Sequence, residues 1–401
     1  MTDHSTLAER DTHRMSKRHV NVSIMASLVA LLGSMGCGGD GTSAAGAGSS
    51  VVFTVSGEAL ALGGYAFPPA PGAEVAFVDG WEMRFTELLV TVNAVTLSAD
   101  PDLDPGDASK TGAVVAEVRG PWAIDLHRSG SLPGKGGADD RAVEIARVDR
   151  QNKNGDAPFE ADRRYAFGFE VGPASASATL VNLDEQGKAD YELMKKEGYN
   201  VLYVGTATFK GTACSPADPV FDALPKVVDF KLGFKSPTIY QNCQNPDNDP
   251  AAPLASEEHQ RGIGLKANQP TTAQLTFHTD HAFWESFKHD SPLHFDQVAA
   301  RYTGASGTPL ATIEDLRGLN PKAFTTSDGK PLPWRTCVPT YTLVEAGQMH
   351  FDSLGIPVDP KGDPAQAIRD YADFMIYNQS TQGHLNADGL CFVKRQYPSP
   401  P

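Results

Sequence analysis

The chain has 401 residues, 40% hydrophobic and 21% charged, which is enough to bury a sizeable core and too polar overall for a polytopic membrane protein. Its formal charge of −15 would repel a phosphate backbone and excludes nucleic acid as a partner. Thirty-eight glycines and 29 prolines point to many turns between short strands rather than to a helix bundle.

Residues 1–36 read as a signal peptide. Lys17, Arg18 and His19 precede an apolar run from Ile24 to Leu32, which is too short to span a bilayer and ends on Gly33, Ser34 and Gly36. Ser34-Met35-Gly36-Cys37 resembles the lipobox of bacterial lipoproteins, although that pattern prefers Leu where Ser34 stands. The resemblance implies that Cys37 is lipidated and that residues 37–50, rich in Gly, Ala and Ser, form a flexible tether to a membrane. Gly38 after the cysteine, in place of the retention-type Asp, implies an exported lipoprotein of the outer membrane. With Cys37 so assigned, Cys214, Cys243, Cys337 and Cys391 form an even set suited to two disulfides in an oxidising compartment. Three pairings exist. Sequence proximity favours Cys214–Cys243 and Cys337–Cys391, each worth about 3–4 kcal/mol in the chain-entropy view.

From residue 51 to 243 the pattern is a β-sandwich body. Trp122, Ile124 and Leu126 alternate with polar or small residues, as do Tyr165, Phe167, Phe169 and Val171, and then Val228, Phe230, Leu232 and Phe234. Between Trp81 and Leu97 the apolar parity changes twice. Met83 and Phe85 share one phase, Leu88, Val90 and Val92 the other, and Val95 and Leu97 return to the first, which predicts bulges or a passage between sheets. Ala189–Glu197 is a short helix stopped by Gly198. Residues 244–268 read as a linker, and 269–401 as a C-terminal α/β extension. Its best helix is 364–382, with Asp363 as N-cap, Gly383 past its end and one apolar face. The fold class is therefore mainly β, an antiparallel β-sandwich with an α/β extension and two disulfides.

No phosphate loop, nucleophile elbow, His-Glu-x-x-His or haem-attachment motif occurs. The segment Asp149–Asp156 resembles a calcium loop, but Arg150 stands where the first oxygen ligand belongs, so it reads as a turn. Histidine placement is the outstanding feature. Eight histidines follow the signal segment, and six lie after residue 277: His278, His281, His289, His294, His350 and His384. Three stand two residues before an aspartate, as His278/Asp280, His294/Asp296 and His350/Asp352, a spacing that puts both side chains on one face of a strand. Asp280 is expected to cap a helix running to Phe287, with His281 in its first turn beside Glu285 and with Phe283 and Phe287 as an apolar stripe. His278, His281, His294 and His350 are the expected ligands, with Asp280, Asp296 and Asp352 as ligands or orienting partners, and with Met349 and His384 within possible reach. Imidazole and carboxylate suit copper or zinc.

The stretch Trp81–Leu97, with Phe209–Cys214 and Asn242–Pro246, resembles secreted bacterial β-sandwich lipoproteins, among them the periplasmic copper-binding proteins of methanobactin systems. That resemblance covers about a fifth of the chain and implies an extracytoplasmic sandwich with a copper-related role. The chain thus reads as a metal-binding envelope lipoprotein rather than an enzyme. One alternative is a structural or recognition module for another envelope protein or a glycan, presenting Trp81, Trp284 or Trp334 on an exposed face. Another is a metal-dependent hydrolase with Glu285 as base.

Overall fold

The computed structural model describes residues 48–71, 73, 75–248, 257–341 and 368–395. The longer strands are, in chain order, β1 (Ser50–Ser56), β2 (Trp81–Ser98), β3 (Val114–Asp125), β4 (Arg141–Val148), β5 (Arg164–Val171), β6 (Val201–Phe209), β7 (Val227–Phe234), β8 (Thr238–Gln241), β9 (Pro270–Phe277), β10 (Gly383–Leu385) and β11 (Phe392–Arg395). Strand exceeds helix, 37% against 15%, and the protein is sandwich-like with two disulfides.

The smaller sheet runs Gly389–Leu390, β10, β9, β1, β4, Leu132–Pro133, and the larger runs Leu310–Ala311, β7, β6, β2, β5, β8, β11, with β3 on the other edge of β2. Pairing is mostly antiparallel. An exception is β1 with β9, which run parallel from Ser50↔Pro270 to Ser56↔Thr276 across more than two hundred residues of chain. Strands from both sides of segment 244–268 therefore pair within each sheet. Aromatic rings close the gap between the sheets. Phe53 of β1 lies 6.1 Å from Phe167 of β5, and Phe277 of β9 lies 5.8 Å from Phe169.

Each parity change in β2 coincides with a bulge. Against β6 the register passes from Val204↔Glu87 to Gly205↔Phe85, leaving Thr86 unopposed, and against β3 and β5 it breaks between Val92 and Ala94, leaving Asn93 unopposed. One extra residue flips every following side chain, so Met83, Val90 and Val95 all end fully buried despite their different phases. At the second bulge Gly172 has no room for a side chain, since a Cβ there would sit 1.9 Å from Asn93 Nδ2.

Two helices differ from expectation at their ends. Helix α1 is Glu58–Gly63. Helix α2, Glu185–Glu197, starts four residues early because Asp184 accepts from the Gly187 N–H, and it stops at Gly198 in the left-handed region, φ 74°. A single turn, α3, spans Asp296–Ala299. Helix α4 is Tyr371–Gln379 rather than 364–382. Asp370 caps it through the Asp373 N–H at 2.9 Å, while Asp363 and Pro364 lie outside the described residues. Gly383 is not its stop but the first residue of β10, where a Cβ would meet the Tyr240 ring at 2.6 Å. The helix is buried nearly all round instead of along one face.

The disulfides are Cys214–Cys337 and Cys243–Cys391, not the sequence-local pairs. Sheet pairing decides this. Cys243 follows β8 and Cys391 precedes β11, and those strands are hydrogen-bonded neighbours from Thr238↔Arg395 to Gln241↔Phe392. Ser215 and Thr336 likewise bridge beside the other pair. The calcium-like segment is a hairpin, in which Asn152 exchanges two hydrogen bonds with the Glu117 backbone and the Arg150 guanidinium donates to the Asp156 carbonyl.

Candidate metal centre

His278, His281, His289 and His384 each offer one ligand atom, and these atoms lie within 4.8 Å of one another. Three local structures bring them together. His278 directly follows β9, and His384 sits in β10 opposite Thr276, two residues before it, so both rings leave the same face of the sheet and stand 4.1 Å apart. A 3₁₀ turn, His281–Phe283, then folds the chain back so that His281 lies 5.3 Å from His384. A bridge between Trp284 and Leu293 closes the loop that carries His289, whose ring is 5.5 Å from His281.

The ring nitrogens could hold a Lewis acid. Thr381 Oγ1 donates its only proton to the Asn378 carbonyl at 2.7 Å, so its 2.7 Å contact with His281 Nδ1 must be accepted from an Nδ1–H. That tautomer leaves a lone pair on His281 Nε2. His289 Nδ1 lies 2.9 Å from Asp290 Oδ1, a carboxylate that favours the same tautomer and leaves Nε2 bare. Nε2 of all four histidines, and Nδ1 of His384, are buried with no hydrogen-bond partner among the described residues. Buried polar atoms are rarely left so. Burial, followed by the neighbouring imidazoles, holds His281 and His384 well below the usual histidine range, so both are neutral and able to coordinate.

Carboxylates surround the rings. Glu58 Oε2 lies 3.5 Å from His278 Nε2, and burial pushes this carboxyl up to about 6 against the opposing pull of His278. Asp280 accepts from Trp284 Nε1 at 2.9 Å, and burial raises it as well. Trp284 stacks on His281 at 3.7 Å and fixes its plane.

Of the expected ligands, only His278 and His281 belong to this group. The helix expected from Asp280 to Phe287 is only the 3₁₀ turn. Asp280 makes no cap bond, because its carboxylate turns to Trp284, and Glu285 does not share a helical face with His281. Phe283 packs on Phe77 and Phe295, whereas Phe287 packs on Phe374 and Tyr377, so they form no common stripe. His294 lies outside the group, with one ring nitrogen engaged elsewhere. Its Nε2 meets Glu285 at 2.9 Å, and its ring stands edge-on to Trp334 at 4.2 Å. Glu285 in turn accepts from the Tyr341 hydroxyl at 2.7 Å, which commits the carboxylate proposed as a hydrolytic base. Asp296 accepts from Trp81 Nε1 and from two nitrogens of Arg335, so it is an ion-pair partner rather than a ligand. Met349, His350 and Asp352 lie outside the described residues. Trp81, Trp284 and Trp334 are 0%, 2% and 4% exposed, so none presents a recognition face; each is packed into the core, and two donate to buried carboxylates.

His289 and Glu58 were the residues that sequence reasoning missed. His289 has no aspartate two residues on, its partner being the adjacent Asp290, and nothing in a linear reading links Glu58 to a histidine 220 positions away. The chain matches no protein-family model, no curated protein and no solved structure, so the site is interpreted from its own geometry.

Proposed function

We propose that the protein is an exported lipoprotein that binds a transition-metal ion, copper or zinc, through His278, His281, His289 and His384. The observation that carries this reading is the convergence of four buried imidazole nitrogens that have no hydrogen-bond partner among the described residues. Four imidazoles suit these borderline ions, and with both cysteine pairs oxidised no thiolate competes. Elemental analysis of the purified protein, before and after chelation, tests the reading. One equivalent of metal per chain is expected, removable by chelator and restored by Zn(II) or Cu(II). A metal-free preparation whose melting is unmoved by either ion would end it.

The anchor is a separate part of the proposal. No helix among the described residues is long and apolar enough to cross a membrane. Strand β1 starts at Ser50, thirteen residues after Cys37. Cys37→Ser is expected to move the protein from the membrane fraction to the soluble fraction of cells, and a variant that stays with the membranes would contradict lipidation at that cysteine.

A further inference from the structure

The charges around the four histidines are not balanced among the described residues. Glu58 and Asp280 both lie against the cluster. Glu58 is one-fifth exposed and Asp280 is 5% exposed. Among the described residues neither pairs with a lysine or arginine. Glu58 approaches His278, with the carboxylates of Asp140 and Asp388 also nearby, and Asp280 takes a hydrogen bond from the Trp284 indole. Of the buried carboxylates elsewhere, Asp296 is matched by Arg335 and Glu257 by Arg261, while Asp79 accepts from two backbone N–H groups and Asp140 from Ser56, Gly136 and Gln274. Two largely buried carboxylates without a cationic side chain are costly unless a cation stands with them.

The position of Glu58 is specific. Its Oε2 is 3.5 Å from His278 Nε2, too far for a good hydrogen bond. It falls within the roughly 3.0–3.6 Å that separates two ligand atoms held about 2.1 Å from one five-coordinate ion at angles of about 90–120°. The backbone at Glu58 is left-handed, φ 60°, a conformation that side chains other than Gly, Asn and Asp seldom adopt, and its N–H is held by Ser56 Oγ at 2.8 Å. Gly136 makes room for the carboxylate, because a Cβ there would lie 2.3 Å from Glu58 Oε1.

We infer that Glu58 is a fifth ligand of the histidine site, and that Glu58 with Asp280 makes the site selective for a divalent ion over a monovalent one. This rests on the metal-binding reading above. A divalent ion such as Zn(II) or Cu(II) offsets more of the carboxylate charge around the site than Cu(I) or Ag(I) does, and a hard carboxylate oxygen is a poor ligand for those soft ions.

Titration of the purified, metal-free protein with Zn(II), Cu(II) and Ag(I) against competing chelators tests this in wild type and in Glu58→Gln, which keeps the side-chain shape and removes the charge. Loss of at least about tenfold in affinity for Zn(II) and Cu(II) is expected, with Ag(I) affinity unchanged or increased. The Cu(II) electron paramagnetic resonance spectrum should change as an oxygen ligand is lost. Asp280→Asn, which retains an acceptor for Trp284, supplies an independent variant; it should weaken the divalent ions while leaving the wild-type copper spectrum nearly intact. Equal affinities in wild type and Glu58→Gln with an unchanged spectrum would remove Glu58 from the ligand set. An equal loss for Ag(I) and the divalent ions would overturn the charge argument. Failure of wild type to bind any of the three ions is a different result, and it would reject the metal site itself.

Discussion

His384→Leu is expected to abolish tight metal binding and, in the same protein, to stabilise the metal-free fold. The His384 ring is 1% exposed, neither nitrogen makes a hydrogen bond of good geometry among the described residues although the Thr381 backbone lies close, and burial holds it neutral. A buried polar group without a partner costs about 1–3 kcal/mol. An apolar side chain of similar size removes that cost, so metal-free stability should rise by about 1–2 kcal/mol. With metal the sign reverses. Wild type at a thousandfold excess of ion over Kd gains about 4 kcal/mol by mass action, and loss of one ligand from a set of four should weaken affinity by about 100-fold or more. Urea denaturation with chelator and with saturating Zn(II) separates the two effects. A variant destabilised by 2 kcal/mol or more in chelator would show that the imidazole is satisfied within the fold and serves structure alone.

That trade explains why the site was only half legible in the sequence. His278 could be placed because β9 has an alternating core face, Ala273, Leu275 and Phe277, all fully buried, and the next polar residue must leave the sheet. His281 followed from the turn after it. The aspartate two residues beyond a histidine proved a poor guide, since Asp296 answers Arg335 and Asp280 answers Trp284, partners that only the tertiary fold brings near. The fold was read best where burial writes directly into the sequence. The two phase changes in β2 matched bulges at Thr86 and Asn93, because each apolar residue records which face it occupies. The disulfides were misread for the opposite reason. Loop entropy depends on sequence separation, but which cysteines meet depends on which strands pair, and β8 finds β11 across about 150 residues. Helix α4 was overextended because its apolar spacing continues through residues whose caps, Asp370 and the turn at Thr381, are set by contacts with Gly318 and His281.

Arg335→Ala is expected to be the most damaging single substitution away from the histidines. The guanidinium, 5% exposed, donates to both oxygens of Asp296 at 2.7 Å and lies between the rings of Phe209 and Phe221, 4.3 and 4.2 Å from their centres. Beside it Asp79 is fully buried and accepts from the Phe295 and Asp296 backbone, and burial, followed by the nearby Asp296, pushes its carboxyl up to about 7. Removing Arg335 leaves Asp296 with one indole N–H and a second carboxyl for company, and breaking one side of such a buried pair costs about 3–5 kcal/mol. Arg335→Lys keeps the charge but cannot reproduce the fork or the stacking, so it should fall between wild type and the alanine variant. The double variant Asp296→Asn with Arg335→Met, which removes both charges and keeps apolar bulk between the two phenylalanines, should recover most of the loss, because the penalty comes from the stranded carboxylate and not from a strong net attraction. Equilibrium urea unfolding of the four proteins measures this, and a cost under about 1 kcal/mol for Arg335→Ala would show that water reaches Asp296. Metal affinity should survive every one of these changes that leaves the protein folded, since Asp296 and Arg335 contribute no atom to the four-histidine group.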